Sequence, residues 1–135
     1  MDYITLNNGV RMPMAGIGTF LLTPDEAEAS VLSALACGYR LIDTAASYGN
    51  EEAVGAAIRA SGLPRDEVFV TTKLWMSDVS YEGAKRGFDA SLKRLGLDYV
   101  DLYLIHWPAA QGAEAEWQRT NQETWRALET LYLDG

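Results

Sequence analysis

The chain has 135 residues, of which 48% are hydrophobic and 22% are charged, and its formal net charge at neutral pH is −8. A chain of this length and composition can bury the core of one domain, and we expect a single domain over residues 1–135. The acidic balance leaves no basic stripe that could neutralise phosphates, so neither nucleic acid nor an anionic membrane is an expected partner.

The N-terminal segment predicts a β-hairpin followed by the first strand of a larger sheet. Residues 4–11 place the sequence Asn-Asn-Gly, at residues 7–9, between apolar residues. This pattern is typical of a tight turn between antiparallel strands. Residues 14–20 (MAGIGTF) then predict a short strand that is weakened by its two glycines. The hairpin would therefore precede the main sheet.

Three later runs of apolar residues predict buried parallel strands. They cover residues 39–44 (YRLIDT), 68–75 (VFVTTKLW) and 100–107 (VDLYLIHW). Each run is short and rich in β-branched and aromatic residues, as is typical of strands that are covered on both faces. Together with residues 14–20, they predict a parallel sheet of four strands.

The segment before the second strand predicts a helix with marked ends. Residues 23–26 combine an N-cap threonine, a proline at the first helical position and a capping-box glutamate, and Gly38 ends the helix. Cys37, the only cysteine, is expected to be a buried structural thiol. Because there is no second thiol and no signal-peptide pattern at the N-terminus, we expect a cytoplasmic protein.

Three further helices are predicted between and after the other strands. Asn50 can cap the second helix, and Gly96 stops the third. Residues 120–123 (TNQE) repeat the capping-box pattern and predict the start of a fourth helix that ends at Gly135.

The order of the predicted elements is a hairpin followed by four repeats of a strand and a helix. A repeat of about 30 residues is typical of β/α units joined by right-handed crossovers. Four such units fit an open doubly wound sheet, and they also fit one half of an eight-unit barrel. The repeat alone does not decide between these two architectures.

Polar residues of complementary chemistry occur where the predicted strands end. Asp43, Lys73 and His106 lie at or near the last residues of consecutive strands, and Tyr48 follows in the loop after Asp43. Because the carboxyl ends of parallel strands meet at one edge of a sheet, we expect these side chains to lie close together. Lys73 needs a partner, since a cation in an apolar run is costly to desolvate.

The segments that carry these residues resemble the aldo-keto reductase superfamily. The match is ungapped over residues 38–55 (GYRLIDTAASYGNEEAVG) and is supported by residues 71–75 (TTKLW), 91–103 (SLKRLGLDYVDLY) and 105–108 (IHWP). The sequence of these segments most resembles that of bacterial members similar to 2,5-diketogluconate reductase. This resemblance covers essentially the whole chain.

The resemblance implies an α/β fold in which this chain forms the N-terminal (β/α)4 half of a TIM barrel, with an N-terminal β-hairpin. It also implies the NADPH-dependent reduction of aldehydes or ketones to alcohols, and we expect no metal site. By position, Tyr48 would be the general acid, Lys73 and Asp43 the pair that tunes it, and His106 the group that orients the substrate carbonyl. A neutral His106 could donate one hydrogen bond without competing as the acid.

The family's binding residues can be transferred to a few further positions. The implied cofactor contacts, near the nicotinamide ribose, are Gly18, Thr19 and Asp43, and the implied substrate-pocket residues are Phe20, Trp75, His106 and Trp107. In the family, the strands that follow the fourth helix supply most of the cofactor contacts. We therefore expect this chain to carry the catalytic residues but little of the cofactor site.

Three hypotheses follow for the 135-residue chain. The first is the amino-terminal half of a reductase, which we expect to show no turnover by itself because it cannot hold a nicotinamide. The second is a non-catalytic half-barrel that associates with itself, rearranges its strands, or needs a complementary half. Its inner face, which includes Phe69, Thr71, Leu102 and Leu104, would otherwise be exposed. The third is a small open-sheet binding domain of flavodoxin type.

Overall fold

A computed structural model describes residues 1–108 and 116–135 of the chain. The predicted hairpin is confirmed. Strands β1 (Tyr3–Thr5) and β2 (Arg11–Pro13) pair in antiparallel register. In the turn between them, Gly9 has a φ of 85°, a left-handed conformation that favours glycine.

The main sheet contains four parallel strands in the order in which they occur along the chain. They are β3 (Ile17–Gly18), β4 (Leu41–Asp43), β5 (Phe69–Leu74) and β6 (Leu102–Ile105). A doubly wound sheet reverses its strand order at a switch point, whereas a barrel adds each strand beside the previous one. The sequential order therefore decides in favour of the half-barrel.

Four helices connect or follow these strands: α1 (Pro24–Ala36), α2 (Glu51–Ala60), α3 (Tyr81–Leu95) and α4 (Trp117–Asp134). The predicted start and end of α1 and the predicted stop of α3 are confirmed. Thr23 and Glu26 form the capping box of α1, and Gly96 ends α3 in a left-handed conformation. Most of the local signals at helix ends thus predicted the element boundaries to within two residues.

The predicted start of the fourth helix is wrong. Helix α4 begins at Trp117, and the N–H of Thr120 already donates to the carbonyl oxygen of Glu116 at 3.1 Å. Glu123, which the capping box would require, instead accepts from Arg119 at 3.0 Å. An ion pair between residues four apart on one helix face supports the additional turn.

Cys37 is exposed rather than buried, which corrects the expectation of a buried thiol. The buried stripe of α1 consists of Ala27, Val31 and Leu35, spaced four residues apart. Cys37 occupies the C-cap two residues after Leu35. At 3.6 residues per turn, this spacing directs it away from the buried face.

The main core lies between the sheet and the helices on its outer face. Its buried members come from α1, α2, β4, β5, the residue before β5 and the end of α3: Val31, Leu35, Ile42, Val54, Ala57, Ile58, Val68, Val70 and Leu95. Ile42 and Val70 are register partners on β4 and β5, so alternate residues of these strands face the helices. The intervening residues, including Asp43 and Lys73, belong to the other face.

The inner face of the sheet is only partly exposed, in contrast to the expectation that all of it would be. Phe69 and Thr71 are 5% and 3% exposed, whereas Leu104 is 38% exposed. Both residues lie on the central strand β5: Thr71 has register partners on β4 and β6, and Phe69 pairs with Leu41 on β4. Leu104 lies on the edge strand β6, which has a neighbour on one side only.

Candidate active site

The four residues expected at the carboxyl edge of the sheet do lie there. Asp43 is the last residue of β4, Lys73 is the penultimate residue of β5, and His106 directly follows β6. Tyr48 ends a short 3-10 turn, Ala46–Tyr48, that comes after β4. Parallel strands in consecutive order therefore present these side chains to one common space.

Lys73 is the centre of the hydrogen-bond network at this edge. Its Nζ donates to Asp43 Oδ2 at 2.8 Å, to the carbonyl oxygen of Thr44 at 3.0 Å and to Tyr48 Oη at 3.4 Å. An ammonium group has three N–H donors, so each of them has an acceptor here. This arrangement explains how a cation with a side chain only 14% exposed is tolerated at the end of an apolar strand.

The ring of His106 lies among aromatic rings. Its centroid is 5.7 Å from that of Tyr48 and 5.2 Å from that of Trp75, and both pairs meet edge to face. Burial and the nearby Lys73 ammonium lower the pKa of His106, although Asp43 opposes this. The imidazole is therefore neutral at neutral pH, with one N–H donor and one acceptor nitrogen.

Aromatic side chains continue on both sides of this cluster. The ring of Phe20 lies 5.1 Å from that of Tyr48, and the rings of Trp75 and Trp107 are 6.1 Å apart. Phe20 and Trp107 are largely exposed, so their surfaces are available to a ligand. The expected substrate-pocket residues thus form a row of apolar surfaces beside the polar cluster.

The three candidate cofactor residues differ in accessibility. Gly18 is the register partner of Asp43, and a Cβ added to Gly18 would meet no atom within 4 Å. Open space beside a half-exposed carboxylate suits a sugar hydroxyl, so Gly18 and Asp43 fit the ribose end of a nicotinamide cofactor. Thr19 is fully buried, and its hydroxyl lies 2.9 Å from that of Thr44. The side chain of Thr19 therefore cannot reach a cofactor in this structure.

Sequence reasoning missed a buried polar group beneath the site. Asn50 was predicted only as a helix cap, and it does occupy the N-cap position of α2, but its side chain makes no capping hydrogen bond. The side chain is 1% exposed and bonds to Thr19, Leu22 and Thr44. An N-cap asparagine is ordinarily exposed, so no local signal could have indicated these partners.

The described ranges, 1–108 and 116–135, contain neither a cluster of metal-ligating residues nor a membrane-spanning helix. No group of three or more histidine, cysteine, aspartate or glutamate residues there could hold a metal ion. No helix in the same ranges is both long and apolar enough to cross a membrane.

Comparisons with known proteins agree on the class that this fold and this edge of the sheet indicate. The sequence model of the aldo/keto reductase family matches residues 14–135. The crystal structure of an aldo/keto reductase from Brucella melitensis superposes with a TM-score of 0.92 and 49% sequence identity, over 99% of this chain and 49% of that one.

Two curated relatives share at least as much sequence identity with this chain as the Brucella melitensis protein does. Morphine 6-dehydrogenase of Pseudomonas putida is 54% identical over 98% of this chain and 43% of its own length. Glyoxal reductase of Bacillus subtilis is 50% identical over 99% of this chain and 46% of its own length. The chain therefore belongs to the aldo/keto reductase family, and it spans less than half the length of these relatives.

Proposed function

We propose that the protein takes part in the NADPH-dependent reduction of a small aldehyde or ketone to an alcohol. The observation that carries this proposal is the position of the Lys73 ammonium, which is bonded to Asp43 and faces the phenol oxygen of Tyr48. A lysine held in this way lies where it can stabilise the negative charge that develops on the phenol oxygen as the proton leaves. Proton donation from Tyr48 thereby becomes easier.

The chemistry requires a proton donor beside a carbonyl group. Bound NADPH would supply the hydride, and negative charge would then develop on the carbonyl oxygen. Tyr48 would donate its proton to that oxygen, and the phenolate left behind would face Lys73. Asp43 keeps the ammonium in place and offsets the cost of its burial.

His106 would orient the substrate. Because its pKa is lowered, the imidazole is neutral and can donate one hydrogen bond to the carbonyl oxygen without supplying the proton. The apolar surfaces of Phe20, Trp75 and Trp107 would surround the remainder of the substrate. Such a pocket suits a small carbonyl compound with an apolar side.

We also propose that the 135-residue chain alone has no turnover. Hydride transfer requires a nicotinamide that is held in a fixed position. Of the three candidate cofactor residues, only Gly18 and Asp43 offer accessible surface at the edge of the sheet. Two such contacts are too few to hold a dinucleotide.

The test uses residues 1–135 alone and as a fusion with the part of the Bacillus subtilis glyoxal reductase that lies beyond the segment matching this chain. NADPH oxidation with glyoxal is followed at 340 nm, and cofactor binding is followed by fluorescence. We expect turnover from the fusion and none from the isolated chain. Steady glyoxal-dependent oxidation by the isolated chain would show that its own residues suffice.

The same fusion tests the role of Tyr48. Tyr48→Phe should abolish turnover and leave cofactor binding nearly unchanged, because the phenol acts mainly in the transition state. Tyr39→Phe is the matched control, since Tyr39 is an exposed tyrosine that precedes the amino end of β4, whereas the site lies at its carboxyl end. An active Tyr48→Phe fusion would contradict the assignment of Tyr48 as the acid.

A further inference from the structure

The side chain of Asn50 makes contacts that helix capping does not explain. Its Nδ2 group donates to the carbonyl oxygens of Thr19 at 2.8 Å and Leu22 at 3.0 Å. Carbonyl oxygens only accept hydrogen bonds, so the atom that faces them must be the amide nitrogen. The Oδ1 atom lies 3.2 Å from the hydroxyl oxygens of Thr19 and Thr44. All the polar atoms of this buried side chain are therefore engaged.

The two carbonyl groups mark the ends of a strained turn. The N–H of Leu22 donates to the carbonyl oxygen of Thr19 at 3.3 Å, which closes a four-residue turn. Leu21 has a φ of 63°, and it is the one non-glycine residue with a positive φ in the described ranges. Turns with a positive φ at the third position favour glycine there, and a leucine in this region is strained.

Nothing about Leu21 itself offsets this strain. Its side chain is 82% exposed and is therefore not held by packing. The carbonyl oxygens at the two ends of the turn are held instead by Asn50, which belongs to a different segment of the chain, and the N–H of Thr19 donates to the carbonyl oxygen of Asp43 at 3.0 Å. Strained backbone persists only where surrounding structure holds it.

The turn carries a residue of the candidate site. Phe20 directly precedes Leu21, and its ring lies 5.1 Å from that of Tyr48. Tyr48 lies two residues before Asn50, across Gly49, which has a φ of 69°. Asn50 is thus connected to both members of this ring pair, to the Phe20 turn by hydrogen bonds and to Tyr48 through the adjoining main chain.

We propose that Asn50 is a positioning residue whose amide holds the Thr19–Leu22 turn in its strained conformation and so keeps Phe20 against Tyr48. This proposal rests on the proposed function, in which Tyr48 donates the proton. Asn50 would then fix the position of the apolar Phe20 ring beside that donor. The contact between the two rings is nevertheless independent of activity. Loss of the contact between the Phe20 and Tyr48 rings can therefore be distinguished from loss of reductase activity.

The experiment measures that contact in the 135-residue chain by NMR, with phenylalanine and tyrosine rings labelled and assigned with Phe20→Leu and Tyr48→Phe. We expect a nuclear Overhauser effect between Phe20 and Tyr48 in the parent chain. Asn50→Ala should abolish it, because the turn loses its brace. Adding Leu21→Gly should restore it at least in part, because glycine adopts a positive φ without strain.

Thr44→Val is the matched control. It removes a buried hydroxyl that bonds to Asn50 Oδ1 but leaves both amide donors to the turn in place. The ring contact should therefore survive in Thr44→Val even if stability falls to the same extent. An unchanged contact in Asn50→Ala, or its equal loss in Thr44→Val, would overturn the proposal. If Asn50→Ala does not fold, the same measurement is made on the double variant Asn50→Ala with Leu21→Gly. A double variant that regains neither the fold nor the ring contact would also overturn the proposal.

Discussion

At the scale of single residues, the electrostatics of the site depend on Lys73. Its ammonium group donates to the phenol oxygen of Tyr48 and disfavours positive charge on His106, while Asp43 compensates for its burial. One cation therefore lies beside both groups that the proposed reduction would use. The single histidine of the chain allows this coupling to be measured directly.

We expect an NMR titration of His106 to give a pKa below the ordinary 6.5. Lys73→Met should move that pKa upward, because the ammonium that disfavours the imidazolium is removed. Asp43→Asn should move it further down, because the carboxylate that favours the imidazolium is lost. Lys93→Met, at an exposed position on α3, is the control and should leave the titration unchanged. A titration of His106 that is insensitive to Lys73→Met would contradict the proposed coupling.

The lowered pKa also has a consequence for stability. Because the folded chain binds the His106 proton less readily than the unfolded chain does, protonation favours unfolding. The contribution of the neutral imidazole is complete above pH 6.5 and is lost as the pH falls toward the pKa of the folded state. Urea unfolding at pH 7.5 and pH 5.5 should therefore show a smaller pH dependence in His106→Gln than in the parent chain. An equal pH dependence in the two chains would rule out this contribution.

At the scale of elements, a close contact between α2 and α3 supports the loops of the site. A Cβ added to Gly55 of α2 would lie 1.8 Å from the carbonyl oxygen of Leu95 at the end of α3. The same oxygen accepts from Arg59 at 2.8 Å. Glu51 adds a second link, because it is 2% exposed and accepts from Thr72 on β5 and from Arg94 on α3. The helix that follows the Tyr48 loop is thereby fixed to two neighbouring elements.

Gly55→Ala should lower the free energy of unfolding by about 2 kcal/mol, since the added methyl group forces two backbones apart. This loss should occur although alanine favours a helix over glycine by about 1 kcal/mol. Gly87→Ala is the control, because a Cβ there would meet chiefly one methyl group of the Leu74 side chain and no backbone atom within 4 Å among its three nearest neighbours. Urea unfolding of the three chains measures the difference. Equal stabilities of the two variants would show that α2 and α3 are not in close contact at Gly55.

At the scale of the whole molecule, the half-barrel has apolar surface that the described residues do not cover. Leu104 on the inner face is 38% exposed, and Trp125 on α4 is 58% exposed. Strand β6 also lies at the edge of the sheet, with backbone groups available for pairing. Exposed edges and apolar patches of this kind favour association.

We therefore expect the 135-residue chain to self-associate at micromolar concentration, most simply as a symmetric dimer that buries the two inner faces. Leu104→Lys should weaken the association, because it would place a charge in that interface. Leu133→Lys, at an 81% exposed position near the end of α4, makes the same chemical change outside it and should have little effect. Sedimentation velocity of the three chains measures the mass. A stable monomer of the parent chain, or equal effects of the two lysine variants, would contradict this interface.

Features that depend on near neighbours in the chain were determined by the sequence alone. The hairpin turn at Gly9, the capping box of α1 and the stop at Gly96 follow from local backbone preferences. The alternation of strands and helices predicted where each strand ends, and so it predicted that Asp43 and Lys73 share one edge. Family membership was also evident from the sequence, since the motif segments are long and ungapped.

Features that depend on which distant segments pack together were decided only by the tertiary structure. The sequential strand order excluded a doubly wound sheet, although both architectures share the same repeat. The burial of Thr19 and the use of Asn50 as a brace arise because two loops meet, and Asn50 is 28 residues from one of its partners, Leu22. The exposure of Cys37 likewise depends on how α1 packs. A buried hydrogen bond is set by the neighbours that folding brings together, and local sequence patterns carry no information about those neighbours.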